Sequence, residues 1–358
     1  MVILPTMELR TRTTGHRHAR NKTLAANAIA LMLVLILMSA AVGLCCVRAA
    51  GQSFAAKPAG REKVIIDTDI GDDVDDAFAL ALTLSSDRLE ILGVTTAWGD
   101  THLRARLVER LLTQTGHADL PVSAGPQTSS GTPFTQTAYA EEFPEPAKGW
   151  PNAIDFILEE IRRNPGEITL ISLAPLSNVG ALIERDPATF RKLKRVVMMG
   201  GSIRQGYGDL GYLPDRGPSA EYNIKMDIPA AKELFASRVP IEMMPLDATQ
   251  LKLDEVLRET LFGQKTSATR ALDELYRQWA GFPNNVTPTL YDAMAVAVVL
   301  QPSLCPSAPM HLRIDDAGFT RVEDGAPNAN VCLHSDADRF FHFYLPQVLR
   351  EQAPVPQK

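Results

Sequence analysis

The sequence predicts a single α/β domain built on a mostly parallel, open β-sheet that is flanked by helices. Two observations support this prediction. From residue 64 onward, short β-branched runs alternate with longer helical patterns, and such alternation is typical of βαβ units. In addition, 45% of the 358 residues are hydrophobic, which is enough apolar material for a full core.

The predicted strands and helices alternate along the chain. Strands are predicted at Val64–Ile66, Ile91–Thr96, Pro121–Ala124, Ile168–Leu173, Arg195–Met199 and Val239–Pro245. Helices are predicted at Asp76–Leu84, His102–Thr115, Ala153–Asn164, Asn178–Glu184 and Pro229–Ala236. This order predicts a Rossmann-like sheet, in which a ligand binds beyond the carboxyl ends of the strands. The loops at that edge are residues 67–76, 97–100, 174–178, 200–202 and 246–249.

The first fifty residues differ from the rest of the chain. Five basic residues precede an apolar run from Leu24 to about Val47, and small residues follow it. This pattern indicates a secretory signal peptide or an uncleaved N-terminal membrane anchor, and both alternatives stay open because the run is long for a signal. We therefore assign residues 1–50 to this segment, 51–62 to a linker and 63–350 to the α/β domain. Such a segment predicts an exported protein, either periplasmic or secreted, or one anchored to the membrane.

Charge and cysteine content exclude two classes of protein. Beyond residue 50 the chain has 30 basic and 41 acidic residues, a net charge of −11. Nucleic-acid-binding proteins concentrate basic charge, so no nucleic-acid partner is expected. Only Cys305 and Cys332 remain beyond that point, which allows one disulfide but not a disulfide-based scaffold.

The most unusual stretch is DTDIGDDVDD, residues 67–76, which places six aspartates within ten residues. A helix N-terminus favours one or two carboxylates, and Asp72 or Asp73 is the candidate cap. The remaining like charges should repel one another strongly in a partly dry site, so a bound cation is expected. Oxygen ligands without a nearby histidine or cysteine indicate Ca²⁺ or Mg²⁺, and Ca²⁺ suits an irregular loop better.

This stretch also resembles a known family signature. The strand ending in Asp67-Thr68-Asp69, followed by Gly71 and Asp75-Asp76-Ala77, is similar to that of the nucleoside hydrolases, Ca²⁺-dependent N-ribohydrolases of the inosine-uridine-preferring family. The likeness covers most of residues 62 to 345. It includes the blocks 94-VTTAWGD-100, 170-LISLAPLSNVGAL-182, 196-VVMMGGS-202, 220-AEYNIKMDIPAA-231 and 290-LYDAMAVAV-298.

The resemblance implies the nucleoside hydrolase fold and Ca²⁺-dependent cleavage of the N-glycosidic bond of ribonucleosides to ribose and free base. It implies that Asp69 both contacts the metal and takes a proton from the attacking water, while Asp67 supports the loop. It also implies a homo-oligomer. The remaining metal ligands would be Asp76, the backbone carbonyl of Leu173 and Asp292, and the substrate would contact Asp75, Asp100, Met199, Glu221 and Asn223.

The sequence departs from the family pattern in two places. Two extra residues lie between Gly71 and the Asp75-Asp76 pair, so Asp73 is an alternative for one role of that pair. Many family members have a histidine directly before the late aspartate, where this chain has Tyr291, and 131-GTPFTQTAYAEEF-143 replaces a histidine-bearing loop. Tyr291 is therefore the candidate proton donor to the leaving base, although a phenol is a weaker acid than imidazolium.

Two further segments have both a functional and a purely structural interpretation. Tyr276 and Trp279, three residues apart on a predicted helix, form either an aromatic wall of the site or a packing contact. Residues 201–223 are rich in Gly, Tyr and Pro, and form either a flap over the substrate or an ordinary surface excursion.

Two other functions remain as alternatives. Loss of the histidine is compatible with a secreted ribose- or nucleoside-binding protein that has lost turnover. An Asp-x-Asp motif after a first strand also occurs in Mg²⁺-dependent phosphatases of the haloacid dehalogenase type, but the later blocks of those enzymes are not matched here. Export would fit the salvage or degradation of external nucleosides.

Overall fold

The computed structural model of the chain describes residues 60–208 and 217–350. Eight strands form one sheet and two form a separate hairpin within this part of the chain. The strands are β1 (Glu62–Thr68), β2 (Leu89–Thr96), β3 (Val122–Ala124), β4 (Ile168–Ser172), β5 (Arg195–Met199), β6 (Ile241–Met244), β7 (Ala308–Met310), β8 (Leu312–Ile314), β9 (Thr320–Val322) and β10 (Ala329–Val331).

The large sheet has the order β3-β2-β1-β4-β5-β6-β10-β7. Every neighbouring pair is parallel except β10 and β7, which are antiparallel. Strand order reverses between β1 and β4, and such a switch point opens a crevice at the carboxyl ends of the strands. The prediction of a mostly parallel α/β sheet is therefore confirmed.

Helices cover both faces of this sheet. They are α1 (Asp75–Leu84), α2 (Thr101–Gln114), α3 (Thr137–Glu141), α4 (Ala153–Arg163), α5 (Ser177–Arg185), α6 (Pro187–Phe190), α7 (Tyr222–Met226), α8 (Ile228–Ala236), α9 (Leu246–Thr249), α10 (Glu255–Gly263), α11 (Ser267–Ala280), α12 (Ala293–Leu300) and α13 (Ala337–Val348), with a 3₁₀ turn at Pro302–Leu304. The five predicted helices and six predicted strands are all present, with ends that differ by at most two residues.

The core divides into two apolar layers because successive strand residues point to opposite faces of the sheet. Val64 and Ile66 pack into one layer and Ile65 into the other. Every residue of α1 and α12 is buried, and the two helices pack against each other. This contact brings the chain before α12 to the end of β1.

Two predictions concern the N-terminal part of the chain. The first 50 residues lie outside the described residues, and among those described no helix is long and apolar enough to cross a membrane. The predicted linker extends to residue 62, but β1 already begins at Glu62.

Cys305 and Cys332 form a disulfide with their Cα atoms 5.6 Å apart, which fixes the chain after α12 to the end of β10.

Candidate active site

A cavity of about 300 Å³ lies at the carboxyl ends of β1, β4 and β5, where the sequence places the site. The strand ends converge there because the strands are parallel, and α1 and α7 begin at its edge. The cavity is lined by Asp69, Asp72, Asp73, Asp75, Asp76, Thr132, Leu173, Met199, Tyr207, Glu221, Tyr222, Asn223, Tyr291 and Asp292.

Three carboxylates converge in this cavity. Asp75 and Asp76 belong to the first turn of α1, and Asp292 directly precedes α12. One oxygen from each lies within 4.8 Å of the other two, and all three side chains are buried. The pair that meets Asp292 is thus Asp75-Asp76, the pair that the family resemblance matches.

The electrostatics of this cluster favour a bound cation. Burial, together with the charge of neighbouring aspartates, holds the pKa of Asp69, Asp75 and Asp292 well above the ordinary value. Burial also raises the pKa of Asp76 to about 7, although a hydrogen bond from the Thr68 hydroxyl lowers it. An all-oxygen donor set of this kind fits a hard divalent ion.

Asp67 supports the loop that follows β1 and leads to the acidic cluster. Its carboxylate accepts hydrogen bonds from Thr95 Oγ1 at 2.6 Å and from Asn178 Nδ2 at 2.7 Å. Burial raises its pKa to about 6. Its backbone carbonyl accepts the Leu173 N–H at 2.8 Å, so Asp67 joins the ends of β1 and β4.

Glu221 and Asn223 form the opposite wall of the cavity. Glu221 is the N-cap of α7, and its carboxylate accepts the backbone N–H groups of Gly201, Asn223 and Ile224 at 2.8, 2.9 and 3.1 Å. Asn223 Nδ2 donates to the carbonyls of Leu173 at 2.7 Å and of Met199 at 3.1 Å. These contacts fix both polar side chains against the ends of β4 and β5.

Three tyrosines surround the open side of the cavity. The rings of Tyr207 and Tyr291 meet edge to face, with centroids 6.1 Å apart. The Tyr207 hydroxyl accepts the Tyr222 N–H at 2.9 Å, and the Tyr222 hydroxyl lies 2.8 Å from Thr132 Oγ1. Burial raises the pKa of Tyr291 to about 12, so its phenol keeps its proton at neutral pH.

Tyr207 and Tyr222 are site residues that the sequence analysis did not assign. Both lie in the segment 201–223, of which residues 209–216 lie outside the described residues. Tyr222 also lies in the family-like block 220–231, between Glu221 and Asn223. Among the residues that the structure describes, no histidine lines the cavity, as expected from the sequence.

The structure places two sets of predicted residues away from their expected positions. Asp100 is exposed and outside the cavity, because its carboxylate caps α2 by accepting the Leu103 N–H at 3.0 Å. Neither Asp72 nor Asp73 caps α1, whose N-cap is Val74 without a side-chain hydrogen bond. Asp72 instead forms a buried ion pair with Arg104 at 2.8 Å.

The aromatic wall proposed for Tyr276 and Trp279 is not part of the cavity. The two rings pack against each other with centroids 6.1 Å apart. Trp279 is buried in the apolar core beside α1, and Tyr276 is packed against that core. Their ring contact is therefore one of helix packing.

Comparison with known proteins identifies the family. The family model described as "Inosine-uridine preferring nucleoside hydrolase" matches residues 64–342. The chain belongs to this family. Membership makes it a hydrolase that acts on ribonucleosides, and it leaves the phosphatase alternative without support.

Relatives of this nucleoside hydrolase include an uncharacterised protein of Schizosaccharomyces pombe, 35% identical over 52% of this chain and 62% of the relative's own length. Uridine nucleosidase 1 of Arabidopsis thaliana is 30% identical over 72% of this chain and 80% of the relative. Among solved structures, a plant nucleoside hydrolase superposes with a TM-score of 0.68 at 25% identity, covering 80% of this chain and 99% of that one.

Proposed function

We propose that the protein hydrolyses the N-glycosidic bond of ribonucleosides with the help of Ca²⁺. The observation that carries this proposal is the convergence of Asp75, Asp76 and Asp292 within 4.8 Å of one another in a cavity of about 300 Å³. Asp69 and the Leu173 carbonyl line the same cavity and would complete an all-oxygen shell.

The reaction needs a water molecule that loses a proton as it attacks the anomeric carbon of the sugar. A bound Ca²⁺ would lower the pKa of a coordinated water. The carboxylate of Asp69 is the group assigned to take that proton, because it faces the cavity from the end of β1. Asp75, Glu221 and Asn223 would hold the ribose hydroxyls. The hydrogen bonds that fix the buried side chains of Glu221 and Asn223 would keep the sugar in one orientation.

Departure of the base is assigned to Tyr291. Its phenol lines the cavity and stays protonated at neutral pH, since burial raises its pKa to about 12. It can therefore donate a hydrogen bond or a proton to the leaving base. A phenol is a weak acid, so we expect bases that leave readily to be preferred.

A nucleoside-binding protein without turnover is the second candidate. It is favoured by one observation, the absence of an imidazole from the described residues that line the cavity. Such a protein would retain the carboxylates that bind the sugar but would lack a strong acid for the base.

One experiment separates the two functions. Purified protein is incubated with a panel of ribonucleosides, with Ca²⁺, with Mg²⁺ or with chelator, and free ribose is measured. We expect ribose release that chelator abolishes and Ca²⁺ restores. Nucleoside binding without ribose release would establish the binding protein, and release insensitive to chelator would refute the metal mechanism.

We also propose that the protein is exported or anchored to the membrane through residues 1–50. The Cys305–Cys332 disulfide supports this proposal, because disulfides persist in oxidising compartments and are rare in the cytosol. Cell fractionation tests it, and recovery from the cytosol with both thiols free would contradict it. Assembly as a homo-oligomer stays a prediction, which light scattering of the purified protein can test.

A further inference from the structure

Arg104, in the first turns of α2, is a buried cation beside the acidic cluster, with only 1% of its surface exposed. Its Nη2 and Nη1 atoms donate to the Asp72 carboxylate at 2.8 and 3.1 Å. Its Nε donates to the Trp98 carbonyl at 2.8 Å, and Nη1 also donates to the carbonyls of Asp69 and Ile70. One guanidinium therefore ties the loop after β1 to the loop after β2.

The other side of the acidic turn, defined as residues 69–73, is held by two neighbouring residues. The N–H groups of Thr135 and Gln136 donate to the Gly71 carbonyl at 2.8 and 3.2 Å. Thr135 Oγ1 donates to the Asp72 carbonyl at 2.8 Å, and Gln136 Nε2 to the Asp73 carbonyl at 2.7 Å. Together with the arginine, these donors bind every main-chain carbonyl of the acidic turn.

These contacts concern both places where the sequence departs from the common family pattern. Asp72 belongs to the two-residue insertion, and Thr135 and Gln136 belong to the segment 131–143 that replaces a histidine-bearing loop. The inserted residue supplies the carboxylate that Arg104 binds, and the replaced segment supplies the donors for the turn. The insertion thus leaves Asp75 and Asp76 beside Asp292.

We propose that Arg104 is a positioning residue for the metal site, with Asp72 as its anchor rather than a metal ligand. It holds the acidic turn so that the Asp69 carboxylate and the Asp75-Asp76 pair face the same point. This inference rests on the proposed function only in requiring that the cluster binds a divalent cation.

The direction in which Ca²⁺ affinity changes when Arg104 is replaced distinguishes positioning from simple electrostatics. A positive charge near the cluster repels a bound cation, so removing it should by itself strengthen Ca²⁺ binding. Loss of positioning should weaken binding. Arg104→Gln removes the charge, whereas Arg104→Lys keeps the charge but loses the planar fork that serves several acceptors at once.

The test is isothermal titration calorimetry of the full chain with Ca²⁺. We expect the Kd to rise about tenfold or more in both Arg104 variants, as for other residues that orient metal ligands. Arg110→Lys is the matched control, because Arg110 lies on the same helix and binds the Tyr139 carbonyl and two glutamates away from the acidic turn. Its Kd should equal that of the wild type.

Unchanged or tighter Ca²⁺ binding by folded Arg104 variants would overturn the inference, since a merely structural role would lower only the melting temperature. If both variants fail to fold, Thr135→Val removes a single hydroxyl donor. Thr135 holds the same acidic turn as Arg104, so this change should raise the Kd about threefold with an unchanged circular dichroism spectrum. An unchanged Kd would mean that fixing the turn does not affect Ca²⁺ binding, and it would overturn the inference.

Ribose release is assayed on the same samples so that the two proposals can fail separately. If the wild type cleaves nucleosides and the Arg104 variants bind Ca²⁺ normally, the positioning role is refuted and the proposed hydrolysis stands. A wild-type protein that binds Ca²⁺ without cleaving nucleosides would refute the proposed hydrolysis and leave the positioning role to the calorimetry. Absence of Ca²⁺ binding to the wild type would refute both.

Discussion

In the absence of a divalent cation, raising the pH from 5 to 8 is expected to destabilise the protein. The buried aspartates of the cluster have folded-state pKa values above those of the unfolded chain. The folded protein therefore binds more protons than the unfolded chain between these values, and its stability falls as the pH rises through that window. Bound Ca²⁺ should remove most of this loss.

The size of the loss follows from Asp76 and from the spacing of the carboxylates. The pKa of Asp76 is about 7 instead of the ordinary 3.8, and each pKa unit corresponds to about 1.4 kcal/mol. Between pH 5 and pH 8 only the part of the shift above pH 5 counts, about two pKa units, so ionisation of Asp76 costs the folded protein roughly 3 kcal/mol over this range. Two unit charges within 4.8 Å of each other repel by about 3.5 kcal/mol at an effective dielectric constant of ~20, which is a similar energy.

Differential scanning calorimetry at pH 5, 6, 7 and 8, with chelator and with Ca²⁺, measures this effect. A loss of roughly 3 kcal/mol lowers the melting temperature of a domain of this size by about 6 °C. Asp292→Asn is the matched variant: with chelator its melting temperature should fall less with pH, and added Ca²⁺ should raise it less. A metal-free melting temperature that stays level or rises from pH 5 to 8 would refute the reasoning.

Three further outcomes are expected. Asp69→Asn should fold normally and lose about 10²- to 10⁴-fold in kcat, and near-normal turnover would show that another group takes the proton. Tyr291→Phe should reduce kcat for unactivated nucleosides by about tenfold or more but leave p-nitrophenyl riboside cleavage almost unchanged; equal losses on both substrates would contradict a proton-donating role. Replacing Cys305 and Cys332 by Ala opens a cross-link that spans 27 residues and should reduce the free energy of unfolding by about 3.5 kcal/mol, as measured by urea denaturation.

The first two-thirds of the fold were predictable because strand and helix periods alternate clearly there. The short strands β7 to β10 were not predicted, since no helix separates them and the alternation of strand and helix that identified β1 to β6 is missing there. The acidic cluster was predictable for a physical reason, namely that like charges so close together in a partly dry site favour a bound cation. Asp100 lies outside the cavity because a polar residue after a strand can equally cap the next helix.

Arg104 was missed because nothing near it in the sequence distinguishes it. It shares α2 with Arg106 and Arg110, and only the folded chain brings one of the three under the acidic turn. The available signal was electrostatic. Six aspartates so close together favour nearby positive charge, and a buried arginine can supply part of that charge as well as a metal ion can. Tyr207 was missed because its segment has no regular period, and Tyr222 because only its neighbours Glu221 and Asn223 carry a role in the family resemblance.

The distances along the chain between the members of the site have a consequence for biosynthesis. Arg104 follows Asp69 by 35 residues, whereas Asp292 follows it by 223. At about 5–20 residues per second, a ribosome adds Asp292 roughly 10 to 45 s after Asp69. The nascent acidic turn therefore receives its internal counter-ion early, and it can acquire its complete metal shell only near the end of translation.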